Sequence, residues 1–196
     1  MKLKLLLHTC CGPCFLGVCE DLKQKDLEVT IYFYNPNIYP EAEHAKRLEN
    51  LRAAAKVKKI KVMVDEYDAG SYDKMVEGLG SWLPSSLHSF GRTSATRNDN
   101  GERCLGCYKL RLEKTAHYAK EHGFDAFSST LLVSPYQQHD ALKAIGEEIA
   151  DKSGIKFYYT DWRPFFREGQ NEARTLDLYR QKYCGCEHSL RERSTE

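Results

Sequence analysis

The stretch LKLLLHTCCGPC, residues 3–14, decides the fold. An apolar run of strand length stops at Thr9, and Gly12-Pro13 opens a helix, because the fixed φ and missing N–H of proline suit a first helical turn. The spacing predicts a strand that passes almost directly into a helix reaching about Lys25. That is the first half of a βα unit, so parallel strands with crossover helices become the expectation for the rest of the chain. Between the two elements stand Cys10, Cys11 and Cys14.

The expectation holds outward from there. EVTIYFYNPN (28–37) reads as a buried strand running into a loop, Glu41 to Lys58 as a helix with apolar positions at Ala45, Leu48, Leu51 and Ala55, and IKVMVDE (60–66) as a third strand. Residues 78–103 are polar and rich in Gly, Ser, Pro and Asn, a loop or short helical insertion. CLGCYKLRLEKTAHYAKEHG (104–123) reads as a helix, DAFSST (125–130) as a strand, QQHDALKAIGEEIADKSG (137–154) as a helix and IKFYYT (155–160) as a strand. A last helix from about Glu168 to Lys182 leads to CGC at 184–186. There are no internal repeats, and no glycine-rich phosphate fingerprint follows the first strand. The fold expected for residues 1–196 is a single α/β domain, a Rossmann-like (HUP-like), mostly parallel sheet with helices on both faces.

A chain of 196 residues with 41% hydrophobic residues can bury one core. No small-residue cleavage site follows the first apolar run, and no apolar stretch is long enough to cross a bilayer, so a cytoplasmic protein without a membrane partner is expected. In that reducing compartment eight cysteines argue against structural disulfides and for metal or redox chemistry. The net charge of +1 neither demands nor excludes nucleic acid, since a local basic patch serves a near-neutral protein.

In open α/β sheets the ligand site lies beyond the carboxyl ends of the strands, which is where Cys10, Cys11 and Cys14 fall. Cys104 and Cys107, spaced i,i+3 at the expected start of a helix, share a face near the positive end of the helix dipole, where thiolates are favoured. Cys184-Gly185-Cys186 follows the last expected helix, and its glycine permits the tight backbone that brings neighbouring sulfurs together. Cys19 reads as an ordinary buried thiol, and His8, His88, His117, His122 and His188 as solvated or hydrogen-bonded. C-x-x-C pairs suit zinc, whereas thiolate-only ligation suits iron–sulfur clusters with four cysteines each. There are too many thiols for one structural zinc, so a cluster is favoured. Thioredoxin-type exchange through Cys11-Gly-Pro-Cys14 leaves the other cysteines unexplained.

Six segments, LLLHTCCGPC, YFYNPNIYPEAEHAKR, ERCLGCYKLRLEKTAHYA, FSSTLLVSPYQQH, DWRPFF and LYRQKYCGCEHS, together resemble the cobalamin-independent epoxyqueuosine reductases of the QueH type, in the same order and over nearly the whole chain. His44 stands where the family leads one to expect tyrosine, and the stretch before Arg103 is longer. The resemblance implies reduction of the epoxycyclopentane of epoxyqueuosine, in the wobble position of tRNA, to the cyclopentene of queuosine, the last step of its biosynthesis. It implies a 4Fe–4S cluster with a second adjacent metal ion, iron or zinc, no cobalamin, and an electron donor of unknown identity. Matched residue by residue, it carries cluster ligation onto Cys10, Cys11, Cys104 and Cys107, leaves Cys14 for the second metal, and gives Cys184 and Cys186 an active-site role as a redox pair or as metal ligands.

Removing an epoxide oxygen takes two electrons and two protons, and the leaving oxygen needs a Lewis acid or a general acid. Asp161 of TDWRPF is the first candidate, with Tyr136 and His139 of SPYQQH behind it. Lys109, Arg111, Lys114, Arg163, Arg167, Arg174 and Arg180 are available for phosphate contacts, and Tyr34, Tyr39, Tyr136 and Trp162 as a wall for a flipped base. One rival is an iron–sulfur-dependent tRNA-thiolating enzyme of similar fold, but HTCCGPC stands where its pyrophosphate loop would be. The other is a zinc-stapled, non-catalytic RNA-binding module.

Overall fold

The computed structural model describes residues 2–79 and 101–194. The expectation for 78–103 therefore falls almost wholly on 80–100, outside the described residues. Strands β1 (Leu3–His8), β2 (Leu27–Phe33), β3 (Lys61–Val64), β4 (Ala126–Ser129) and β5 (Lys156–Phe157) form one parallel sheet in the order β3-β2-β1-β4-β5. Leu5, Leu6 and Leu7 are all fully buried, as are Ile31, Tyr32 and Phe33. Consecutive buried residues, rather than alternating ones, are what a sheet covered on both faces requires.

The crossover helices supply that cover. Helix α1 (Gly12–Lys23) packs on α2 (Glu41–Lys58), while α4 (Gly101–Glu121) packs on α5 (His139–Ser153) and on α3 (Ala69–Glu77). Helix α6 (Phe166–Thr175) crosses α1 so closely that a Cβ on Gly169 would lie 2.4 Å from the Pro13 carbonyl oxygen. Lys58 joins these three helices, its ammonium 2.7 Å from Glu20 on α1 and 2.7 Å from Glu172 on α6. Trp162 is fully buried, and its indole N–H donates to Asp21 at 2.9 Å.

Three expectations are corrected. The last long helix ends at Thr175 instead of reaching Lys182, because Asp177 turns left-handed (φ 51°), Leu178 N–H bonds the Ala173 carbonyl at 2.8 Å and Asp177 N–H the Arg174 carbonyl at 3.1 Å. That is a Schellman stop built without glycine. The buried face of α2 is His44, Arg47, Leu51, Ala54 and Ala55, with Ala45 exposed, because the helix turns Arg47 inward to meet backbone carbonyls. Strand β5 is only two residues long, and a short helix α7 (Glu187–Ser194) follows the CGC. Helix α3, capped by Asp68, is an element that the sequence reading did not assign.

Candidate active site and metal centre

β1 lies between β2 and β4, so the chain leaves it in one direction to the β2–β3 side and in the other to the β4–β5 side. The crevice at the carboxyl ends of β1 and β4 is therefore the topological switch point, where open α/β sheets bind ligands. Cys10 and Cys11 follow β1, and Pro13 in the first turn of α1 places Cys14 one turn on. The three sulfurs all lie within 4.8 Å of one another, with Cys10 and Cys11 3.7 Å apart, and all three residues are buried. Such a group of soft donors could hold a metal ion. Hydrogen bonds from Cys11 and Cys14, helped by the Arg111 charge, hold the Cys10 thiol well below its ordinary range. Cys11 is pushed up by burial and Cys14 by its hydrogen bonds to Cys10 and Cys11, so negative charge within the trio is favoured on Cys10.

A second group of thiols faces the first. Cys104 and Cys107 lie on α4, with Cys184 and Cys186 close enough to couple electrostatically to both. Burial pushes Cys107 up to about 12 and raises Cys104. Cys186 packs with Cys107, Tyr72 and Met75 in a small buried cluster, its sulfur 3.5 Å from the Ser189 hydroxyl. Cys184 is exposed as a whole residue, yet desolvation raises its thiol, whose sulfur stands 3.8 Å from the Gln137 amide in the wall of a cavity.

Arg111 sits between the two groups, only 2% exposed. Its Nη1 is 3.8 Å from Cys107 Sγ, its Nε donates to His8 Nε2 at 3.3 Å, and its Nη2 donates to Asn35 Oδ1 at 2.8 Å. Burial, with the Arg111 charge, drives His8 down to about 3, so the imidazole is neutral; its Nε2, 3.1 Å from the Tyr34 carbonyl, donates there in one tautomer and accepts from the guanidinium in the other. Its Nδ1 pairs with the Ser129 hydroxyl at 2.8 Å. A buried cation that no carboxylate neutralises is costly unless anions face it, and thiolates are the anions at hand.

The cavity in front of these groups has a volume of about 500 Å³. Cys10, Cys14, Cys184, Arg111, Thr130 and Tyr136 are among its walls, and Gln181 closes it, donating to Cys11 Sγ at 2.9 Å. Of the expected substrate contacts, the structure brings Tyr136 and Arg111 to this cavity. Tyr136 is 75% exposed and meets Phe166 edge-on. Arg111 is too deeply buried, and its donors too fully engaged, to reach a phosphate; its position is among the thiols.

Other candidates lie elsewhere. Tyr34 is buried beside Tyr32, with the Lys114 ammonium over its ring. Trp162 belongs to the core, and Tyr39, 47% exposed, lines a different cavity. His139 is buried, its Nδ1 3.9 Å from an Asp161 oxygen. Asp161 and Arg163 hold each other in a two-pronged pair at 2.9 and 2.6 Å, which pushes the carboxyl down to about 2. An aspartate so low is ionised at neutral pH and accepts protons rather than donating them. Lys109 and Lys114 pair with Glu113 and Asp65. Sequence reasoning missed Arg47, Asn35, Gln137 and Gln181, whose only signal was their presence in the segments that carry the resemblance, and it left His8 as an ordinary histidine.

A family profile described as epoxyqueuosine reductase QueH matches residues 5–192. The chain is 35% identical over 194 residues to the epoxyqueuosine reductase QueH of Dehalococcoides mccartyi, covering 98% of this chain and 96% of that one. It is 32% identical to the protein of that name from Thermotoga maritima, covering 96% and 91% of the two chains. In structure it resembles a predicted subunit of tRNA methyltransferase from Methanocaldococcus jannaschii, with a TM-score of 0.54 and 12% identity over 98% of this chain and 88% of that one, a likeness of fold.

Proposed function

The chain belongs to the QueH family of epoxyqueuosine reductases, and from that premise we propose how its own residues divide the work. It is an oxidoreductase that reduces epoxyqueuosine, and its substrate is tRNA. The epoxide loses its oxygen to leave an alkene, with two electrons and two protons consumed and water released.

Cys10, Cys11, Cys104 and Cys107 would hold a 4Fe–4S cluster, and Cys14 a second adjacent ion, iron or zinc; cobalamin has no part. When bound, the cluster would supply the low-potential electrons that, drawn from an external donor, keep the Cys184 and Cys186 pair reduced. The donor set fits, since thiolates are the soft ligands such iron takes, and the buried Arg111 and Arg47 offset the charge they bring. The observation that carries this reading is Arg111 itself, one guanidinium that faces Cys10 after β1 and Cys107 on α4 together.

Cys184 and Cys186 are proposed as the reducible pair. As a dithiol they hold both the electrons and the protons of the reaction: dithiol and epoxide become disulfide, alkene and water. The raised Cys184 thiol is protonated at neutral pH and lines the cavity, so it can deliver a proton to the leaving oxygen. An external electron donor then restores the dithiol. Asp161 takes no part as an acid in this scheme; it anchors Arg163. Tyr136 offers its exposed face to the flipped base.

Metal analysis tests the ligand set. In protein prepared without oxygen, Cys10→Ser, Cys11→Ser, Cys104→Ser and Cys107→Ser should each lose iron and sulfide, because a hydroxyl is a poor iron ligand. Full iron content in all four variants overturns the assignment. The close Cys10, Cys11 and Cys14 trio also suits a lone zinc ion, and protein that holds zinc alone favours the RNA-binding module.

A further inference from the structure

Beyond the charge it sets against the thiolates, Arg47 is 1% exposed and each of its three guanidinium nitrogens donates a hydrogen bond. Its Nε donates to Glu43 Oε1 at 2.7 Å, one helical turn away on α2. Its Nη1 donates to the Cys184 carbonyl at 3.0 Å and its Nη2 to the Tyr183 carbonyl at 3.1 Å. The guanidinium also lies 5.2 Å from the centre of the Tyr183 ring. Glu43 is braced in turn by the Tyr179 hydroxyl, at 3.0 and 2.9 Å from its two oxygens, and Tyr179 N–H is held by Asn50 Oδ1 at 2.8 Å. From the far side, Tyr39 N–H donates to the Gly185 carbonyl at 2.8 Å.

These contacts converge on one short segment. Beyond the Schellman stop the chain has no helix or strand until α7; from that side Leu190 N–H donates to the Cys186 carbonyl at 3.1 Å and Gly185 N–H to the Ser189 hydroxyl at 3.3 Å, while the Tyr183 and Cys184 carbonyls are tied to the rest of the fold by Arg47. Two successive carbonyls point at one guanidinium, and Gly185 has φ 136°, a conformation that side chains rarely adopt. A Cβ there would lie 3.2 Å from Arg47 Nη1 and 3.1 Å from Ile38 Cγ1. A planar fork spans two carbonyls at once; an ammonium does not.

We infer that Arg47 is the positioning residue of the Cys184-Gly185-Cys186 turn: its guanidinium clamps the Tyr183 and Cys184 carbonyls to α2 and so sets Cys184 in the cavity wall and Cys186 behind it. The inference rests on the reading that this turn acts in the reaction.

Arg47→Lys is the sharpest test, because it keeps the charge and the Glu43 partner and loses only the fork. In the metal-loaded enzyme it should lower kcat about tenfold or more while KM for the tRNA stays within about twofold, the split expected when a group acts after binding. In metal-free protein, alkylation of Cys186 by iodoacetamide, followed by peptide mass spectrometry, should quicken by about tenfold as the turn loosens. Gly185→Ala should reproduce both changes from the other side of the contact, and it decides alone where Arg47→Lys does not fold. Wild-type kcat and wild-type alkylation in the folded variant overturn the inference. If Cys184→Ser with Cys186→Ser retains full activity, the role of the turn in the reaction fails, while the alkylation result still judges the clamp.

Discussion

Cys10 Sγ stands 3.9 Å from Thr130 Oγ1, although 120 positions separate them in the chain. The contact exists because β1 and β4 are neighbours in register, His8 opposite Ser129, so the residues that follow each strand emerge side by side. The thiols after β1 and the 3₁₀ turn after β4 thus make the two lips of one crevice.

Arg111→Met should show what the buried cation does there. It strips donors from His8, Asn35 and Cys107, and buried groups left unpaired cost about 1–3 kcal/mol each. The urea midpoint should fall, and iron content with it. Normal iron content in a folded Arg111→Met protein would separate the cation from the metal site.

Tyr136 and Trp162 should part company. Tyr136→Ala should reduce kcat/KM for tRNA about tenfold, since base stacking on an aromatic ring contributes about 1–3 kcal/mol, without moving Tm. Trp162→Phe removes the bond to Asp21 and should lower stability by about 1–3 kcal/mol while leaving KM unchanged. Thermal melts beside steady-state kinetics separate the two cases.

Asp161→Asn tests the proton path. With its carboxyl at about 2, Asp161 adds stability above the ordinary carboxylate range and loses it as pH falls through about 4 toward 2. The contribution is small because the pair is half-exposed. Near neutral pH the variant should keep its rate and pH profile. A fall of about a hundredfold would make Asp161 the general acid after all.

Cys19→Ala should be silent. Cys19 sits beside Lys23, Lys58, Glu20 and Glu172 rather than among the other thiols, and burial pushes it up to about 11, so at pH 8 almost none of it is thiolate and it is a poor nucleophile. Its alkylation should trail that of Cys184, and iron content and turnover should match the wild type.

The parallel sheet was legible because its signals are local: an apolar run, Gly12-Pro13, and a helix whose bounds at Glu41 and Lys58 match the sequence reading. The three cysteine groups were legible for the same reason, each lying beside an element boundary or motif. What was hidden depends on long-range geometry. Asp177 carries no visible stop signal, because its left-handed turn is set by bonds back to Arg174 and Ala173. Arg111 read as a charge for phosphate contacts and Arg47 drew no reading, since nothing local tells which face of a helix meets a thiol or a carbonyl from another part of the chain. Asp161 looked like an acid beside a strand until the neighbouring Arg163 was seen to hold it.

The central claim is tested most directly by turnover on the intact substrate. Protein prepared without oxygen would be given a chemical reductant and tRNA bearing epoxyqueuosine, and the digested nucleosides would be weighed by mass spectrometry. The account predicts a brown, iron- and sulfide-containing protein that converts epoxyqueuosine to the species lacking one oxygen, more slowly as salt rises, and not at all after Cys184→Ser with Cys186→Ser. A colourless protein holding only zinc that returns the epoxide unchanged would contradict it.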